Sequence, residues 1–419
     1  MKLHTRDTMW GHTMPRTPVY EQLKDDLECD VLVIGGGMGG ALCAREFAKR
    51  GLRTIVAEKR KVGQGSSIAN TGLLQYTNDK TLTACINTFG EDNGVLFYRL
   101  CRDAMEYLLH TAPQLPIPVQ MIPRSSLYFA SSPEDVPGLQ EEYENLKRHG
   151  FAADYWDEAQ IAKHFSFSKA GGIYTHGDAE VNPYRLVHGL MMDACRHGAR
   201  VFEDAAVTGQ TFTEQGVIHY VGEHKIRAQK VVFSTGYETQ EIKKDRGAFM
   251  MSTYAIATTP ISNWDGWHNR SMLWETARPY LYIRTTADNR IIAGGLDEPL
   301  TSIENMEVRK INQAQRLLAA VEQLFPRLGS LSIDSAWAAP FGSSRDGLPY
   351  MGAHPDYPQC YFVEGYGGNG TVYSAIAAML LADELTGITR PELELFSLTR
   401  SAKPSPANAP EIEIKDITA

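Results

Sequence analysis

The chain has no CxxC pair, no H-x-x-x-H or HExxH spacing, and no apolar run near the roughly 18 residues a membrane helix needs. The first absence removes a dithiol redox pair. The second leaves no metal site to expect. The third leaves no integral membrane segment. Six cysteines, Cys29, Cys43, Cys85, Cys101, Cys195 and Cys360, are scattered over 419 residues. Such spacing reads as reduced thiols of a cytoplasmic protein. Basic charge is also scarce: Lys plus Arg is 41 against 50 for Asp plus Glu, a net charge of −9. That balance supplies no basic face for nucleic acid or an anionic membrane. The first 27 residues have no signal-peptide core and read as a lead-in arm, partly disordered.

What is present is an ordinary globular composition, 43% hydrophobic and 22% charged. At about 150 residues per domain, the length implies two or three domains. The apolar, β-branched run Cys29–Ile34 reads as a buried parallel strand. Glycines 35–37, 39 and 40 follow it, and then ALCAREFAKRG, helical in period and closed by Gly51. A second strand, Arg53–Ala57, ends at Glu58. Further on, helices are expected at about 85–115, at Asn182–His197, at about 304–325 and at Val372–Leu385. Strands are expected at SSLYFA, ARVFE, GVIHYV, KVVFSTG, YAIATTP, PYLYIR and RIIAGG. The tail AKPSPANAP is too poor in apolar residues to fold alone.

Gly35-x-Gly37-x-x-Gly40 fits the dinucleotide fingerprint. Gly35 permits the tight turn, Gly37 the approach of a pyrophosphate, and Gly40 close packing of helix on strand. Met38 and Gly39 complete the turn, where the helix N-terminus offers N–H groups to phosphate. Glu58, 18 residues beyond Gly40, stands where a carboxylate takes a ribose diol. Two distant segments favour FAD over NAD. The loop Gly65–Gly72 follows the ribose acid and can wrap a flavin; the alternative is a solvated surface loop. Tyr361–Thr371 repeats the strand, glycine turn and helix, and a helix N-terminus there stabilises negative charge on a reduced flavin.

With these motifs in view, the sequence resembles the FAD-dependent D-amino acid oxidase superfamily, in its glycine oxidase, sarcosine oxidase and γ-glutamylputrescine oxidase branch. The resemblance runs from about 28 to 390. It rests on DVLVIGGGMGG with Glu58, GSSIANTGLLQ, VVFSTGYE, PYLYIR…RIIAGG, WAAPFGSSRDGLPYMG and FVEGYGGNGT. The arm before Cys29 is more like the putrescine-pathway oxidases. The resemblance implies an α/β architecture, a Rossmann-like FAD-binding domain interleaved with a mixed-sheet (α+β) substrate domain. Residues 28–85, 170–245 and 335–392 would form the first; 86–169 and 246–334 the second; 1–27 and 393–419 the arm and tail. It places Gly35, Gly37, Met38, Gly39, Gly40, Glu58 and Lys59 on the ADP half. Ser66, Ser67, Asn70, Thr71, Gly72 and Leu73 would line the flavin. Val207 would meet the adenine side, Thr235 and Gly236 the pyrophosphate, and Gly367, Gly368, Asn369, Gly370 and Thr371 the pyrimidine end.

Two positions depart from the family. Where relatives carry an arginine that clamps the substrate carboxylate, this chain has Phe341; where a second basic residue is common, it has Gly368. Loss of a bidentate fork removes the usual carboxylate anchor. Phe341 would instead form an aromatic wall for an alkyl chain or a cation. There is no His between Glu58 and Gln75 and no Cys between Trp337 and Gln359, so the FAD is expected to be non-covalent.

Tyr280, Tyr282 and Arg284 share one face of a strand. They are either substrate-facing or an ordinary half-buried face. Arg278 and Arg284 either replace the missing anchor or form surface salt bridges. Tyr366 either faces substrate or fills the turn. Arg345-Asp346 is expected to support its own turn. The expected activity is oxidation of a C–N bond in a small amine or amino acid to an imine. The imine then hydrolyses, and electrons pass to O2 or to an acceptor partner. The resemblance requires no obligate side-chain base. The alternatives are a 2-hydroxy acid or polyol-phosphate dehydrogenase on the same fold, which needs an active-site base, and a non-catalytic FAD-binding subunit.

Overall fold

A computed structural model describes residues 2–5, 8–243 and 247–400. The AKPSPANAP tail lies outside them.

Leu27–Ile34 is the centre of the first sheet. It pairs in parallel with Thr54–Ala57 on one side and His224–Phe233 on the other. Arg200–Phe202 extends the sheet beyond Thr54–Ala57, and Tyr357–Glu364 lies parallel beyond His224–Phe233. Tyr350–His354 closes that edge antiparallel. The hairpin Val207–Thr213/Gly216–Val221 pairs antiparallel with His224–Phe233. Alternation sets the two faces. Val31 and Val33 pack under the helices Met38–Lys49, Pro183–Arg196 and Gly370–Leu385. Leu32 and Ile34 join the cluster holding Val217, Val221 and Phe233 on the other face. Gly370–Leu385 is apolar on all sides and buried along most of its length. That all-round pattern marks an internal helix.

The second sheet is mixed. Its order is Ile333–Ser344, Ala248–Thr258, Ile291–Pro299, Leu281–Thr285, Met272–Glu275, Ile122–Phe129, Gly171–Glu180 and Leu73–Leu74, with Ala153–Asp157 also on Gly171–Glu180. Only Met272–Glu275 against Ile122–Phe129 is parallel among these pairs. Helix Ile303–Leu324 buries Met306, Leu317 and Val321 against Tyr254, Ile256 and Ala293.

Local chemistry explains the element boundaries. Asn182 caps its helix by accepting from the Arg185 N–H, with Pro183 at the first position. The helix expected at 85–115 is two, Leu82–Phe89 and Glu91–Thr111, because Gly90 between them has φ +87°. Asp346 does support its turn: it accepts from Leu348 N–H and from Arg400 Nε at 2.7 Å. Gly171–Glu180 and Ile333–Ser344, grouped above with the nucleotide-binding segments, both belong to the second sheet. Neither leads through a glycine turn into a long helix, as Leu27–Ile34 and Tyr357–Glu364 of the first sheet do. The described part of the arm is packed: Thr5, Met9 and Trp10 are buried, and Thr5 N–H donates to Ala338 O at 2.8 Å. No helix among the described residues is long and apolar enough to cross a membrane. All six cysteines are free thiols.

Candidate active site

A cavity of about 630 Å³ runs from the C-terminal end of Leu27–Ile34 to the second sheet. Such a crevice beyond the carboxyl ends of parallel strands is where this topology takes ligands. At one end is the glycine turn. Gly35 has φ +109°, and a Cβ there would stand 2.3 Å from Ser234 O. A Cβ on Gly40 would stand 1.9 Å from Gly35 O, so helix and strand meet only because that atom is missing. Gly35, Gly37, Met38 and Gly39 line the cavity; Gly40 does not, and its part is packing. Ser67 Oγ accepts from Met38 N–H at 2.9 Å, tying the Gly65–Gly72 loop to the helix start.

Glu58 is buried at the end of its strand. One carboxylate oxygen accepts from Gly36 N–H and the other from Arg60 N–H, each at 2.7 Å. Each oxygen has capacity for a further hydrogen bond, and Glu58 lines the cavity. Lys59 and Arg60 both bond Glu238. Burial opposes ionisation of Glu238, but hydrogen bonds from Arg60 and Lys59 outweigh it and hold the carboxyl at about 2. Val207, Thr235 and Gly236 line this half.

The middle of the cavity holds three buried polar atoms with no hydrogen-bond partner among the described residues: Ser66 Oγ, Gln75 Nε2 and Thr77 Oγ1. Buried polar groups are normally satisfied, so their orphaning here points to a polar ligand. Asn70 and Thr71 line the same stretch, with Leu73. Gly72 does not. A Cβ there would press on Val181 O at 2.2 Å and Arg284 Nη2 at 2.6 Å. Two indoles grip this loop from behind: Trp10 Nε1 donates to Asn70 O at 2.6 Å, and Trp337 Nε1 to Ala69 O at 2.8 Å.

Gly367, Gly368, Asn369, Gly370 and Thr371 all line the far half. The Asn369 amide is spent inside the protein, on Gln75 O, Thr77 O and Asn78 Oδ1, so it knots two loops together. Gly368 N–H donates to Asp79 Oδ2 at 3.1 Å. A Cβ on Gly368 would stand 2.8 Å from the same oxygen.

The end against the second sheet is aromatic. Tyr280, Tyr282, Phe341, Trp274, Tyr237 and Tyr366 line it. The Tyr280 and Tyr282 rings are 5.8 Å apart. Tyr366 is buried, stacks near Tyr237 and accepts from Gln240 Nε2 at 2.7 Å. Gly342 leaves room for these rings, since a Cβ there would lie 2.6 Å from Tyr366 Cδ1.

Arg284 requires a correction as a candidate anchor. It is buried away from the cavity, and its guanidinium donates to the carbonyls of Thr71, Val181 and Thr285. Tyr280 and Tyr282 of the same segment line the cavity, whereas at Arg284 the Gly65–Gly72 loop and Val181 cover the side chain. Arg278 is outside the lining too. It donates to the carbonyls of Glu275, Thr276 and Ala277 and sits 4.9 Å from the Tyr280 ring.

The sequence motifs missed Arg60, Thr77, Asp79 and Asp297, and contained Gln75 and Glu238 without singling them out; all six line the cavity. Gln75 ends the GSSIANTGLLQ segment and Thr77 lies two residues beyond it, so the length of that segment was the available signal. Asp297 follows the RIIAGG strand with no motif of its own. Burial pushes its carboxyl up to about 6; Asp79 adds to this, and the Thr253 hydroxyl and Arg278 oppose it.

The residues present fit a flavin dinucleotide: a glycine turn for the pyrophosphate, a positioned carboxylate for the ribose, and a long channel with unsatisfied polar atoms. Comparison with known proteins agrees. Residues 30–384 match the family model for FAD dependent oxidoreductases. The γ-glutamylputrescine oxidoreductase of Escherichia coli is 25% identical over 88% of this chain and 86% of its own. The glycine oxidase of Geobacillus kaustophilus is 23% identical over 88% of this chain and 97% of its own. The crystal structure of glycine oxidase from Geobacillus kaustophilus superposes with a TM-score of 0.77, covering 90% of this chain and 99% of that one at 20% identity. The turn at Gly35, the carboxylate of Glu58 and the match over nearly the whole chain together make this protein a member of the FAD dependent oxidoreductase family, an FAD-dependent enzyme built on the glycine oxidase fold.

Proposed function

We propose that the enzyme oxidises a C–N bond of a small amine or amino acid. The observation that carries this reading is the aromatic chamber of Tyr280, Tyr282, Trp274, Phe341 and Tyr366, continuous with the flavin channel. The amine loses one hydrogen from carbon and one from nitrogen, leaving an imine. Water then converts the imine to a carbonyl compound and a free amine. FAD, when bound, would supply the two-electron acceptor for this step, with O2 or an acceptor partner as the final oxidant. The protein's own part is to hold and orient. Gly35, Gly37, Met38 and Gly39 would cradle the pyrophosphate and Glu58 the ribose. Ser66, Gln75 and Thr77 would bond the flavin half, and the tyrosines would shape the space for the reacting carbon. The first sheet with its helices would hold the cofactor and the second sheet would hold the substrate.

A hydroxy acid reading asks for an imidazole base, and no histidine lines the cavity among the described residues. The names of the two relatives, glycine oxidase and γ-glutamylputrescine oxidoreductase, also favour an amine. Six free thiols fit a cytoplasmic setting. The test is anaerobic: the flavin spectrum is followed as amines, amino acids and hydroxy acids are added singly. Bleaching by an amine is the expected result. Bleaching by hydroxy compounds alone rejects the reading.

A further inference from the structure

The substrate end of the cavity carries two carboxylates, Asp79 and Asp297. The lining cations, Lys59 and Arg60, stand at the ribose end and are bonded to Glu238. Asp297 Oδ1 is shut off from solvent and has no hydrogen-bond partner among the described residues. Asp79 has one oxygen on Gly368 N–H. Tyr280 and Tyr282 lie in the electrostatic reach of both carboxylates. Arg278 lies within electrostatic reach of both carboxylates, but its hydrogen bonds go to the backbone carbonyls of Glu275, Thr276, Ala277 and Asp79 and not to either carboxylate.

A buried carboxylate oxygen without a donor is costly. A cation removes that cost, and aromatic faces add to its binding. A second carboxylate in the same place would add like-charge repulsion, which discriminates against it. We propose that the substrate is an alkyl amine with a positive charge at its far end, held by Asp297 and Asp79 against Tyr280, Tyr282 and Phe341. This rests on the reading of the cavity as a C–N oxidation site. It also explains why Phe341 occupies a wall of the cavity: beside two carboxylates, an apolar ring face completes a seat for an ammonium group.

The test uses the holoenzyme and has two arms. In the first, unreactive probes are titrated against the flavin absorbance. Butylguanidinium should bind at least tenfold more tightly than pentanoate, and Asp297→Asn should erase most of that preference while keeping the flavin spectrum of a folded holoenzyme. Tighter binding of pentanoate, or a preference that survives Asp297→Asn, overturns the proposal whatever the enzyme turns over. In the second arm, 1,4-diaminobutane, butylamine and 4-aminobutanoate are compared as reductants under anaerobic conditions. The expected order of kcat/KM is diamine, then monoamine, then amino acid, with the diamine-to-monoamine ratio collapsing toward one in Asp297→Asn. Preference for 4-aminobutanoate overturns the cation proposal and leaves C–N oxidation standing. Bleaching by hydroxy acids alone removes the underlying reading and this proposal with it.

Discussion

Arg284 Nε donates to the backbone carbonyl of Thr71 at 2.7 Å, so a residue of the second sheet holds a residue of the cofactor loop. Nη2 reaches the Val181 carbonyl at 2.9 Å and Nη1 the Thr285 carbonyl at 2.9 Å. The charge is buried, and burial brings its pKa down to about 10. Trp10 lies 5.2 Å from the guanidinium carbon. Replacing this fork by Met leaves three carbonyls without their donors. The expected cost is about 3–5 kcal/mol, together with weaker FAD retention, although Arg284 does not line the cavity. Urea unfolding and FAD content after gel filtration check both; unchanged retention at reduced stability would confine Arg284 to the scaffold.

Glu58 should govern cofactor affinity. Charged hydrogen bonds contribute roughly 1.5–3 kcal/mol each. Glu58→Ala is therefore expected to weaken FAD binding about 10- to 100-fold, measured by reconstituting apoprotein with FAD and following flavin fluorescence. An affinity within twofold of wild type would remove Glu58 from the ribose site.

The flavin should come free. Denaturation in guanidinium followed by ultrafiltration is expected to pass all the yellow colour through the membrane. Colour retained on the polypeptide would mean a covalent link to the flavin and overturn the expectation.

His188 gives stability a pH dependence of known sign. It is buried beside Tyr184, with ring centroids 4.6 Å apart, and neither ring nitrogen has a partner among the described residues. Burial pushes its pKa down from 6.5 to about 4. The unfolded chain takes up the proton near 6.5 and the folded chain resists it, so this contribution is intact above pH 6.5 and is lost as pH falls toward 4. His188→Leu should therefore gain on wild type as pH drops from 7 to 4.5, read as the difference in urea midpoints. A difference that stays constant with pH rejects the assignment.

The cofactor half was legible because its chemistry is written in contiguous residues. A glycine turn, its helix and the acid at the next strand end need only local spacing, and Gly35, Gly37 and Glu58 stand where that spacing puts them. The aromatic half of the cavity is assembled from segments far apart in sequence. Asp79, Tyr280, Asp297 and Phe341 meet only through the second sheet and the Asp79–Gly368 contact. Arg284 shows the limit from the other side. Alternation gives the face a residue shares, but not what covers that face at each position along the strand.

The central strand Leu27–Ile34 also has consequences for the order of synthesis. Its neighbours are Thr54–Ala57, which follows it closely, and His224–Phe233, which leaves the ribosome much later. The turn at Gly367 and the indole of Trp337 come later still. A nascent chain thus exposes its phosphate-binding turn long before it can enclose a flavin. A ribosome stalled before Trp337 would carry the Gly65–Gly72 loop without the indole that donates to Ala69 O.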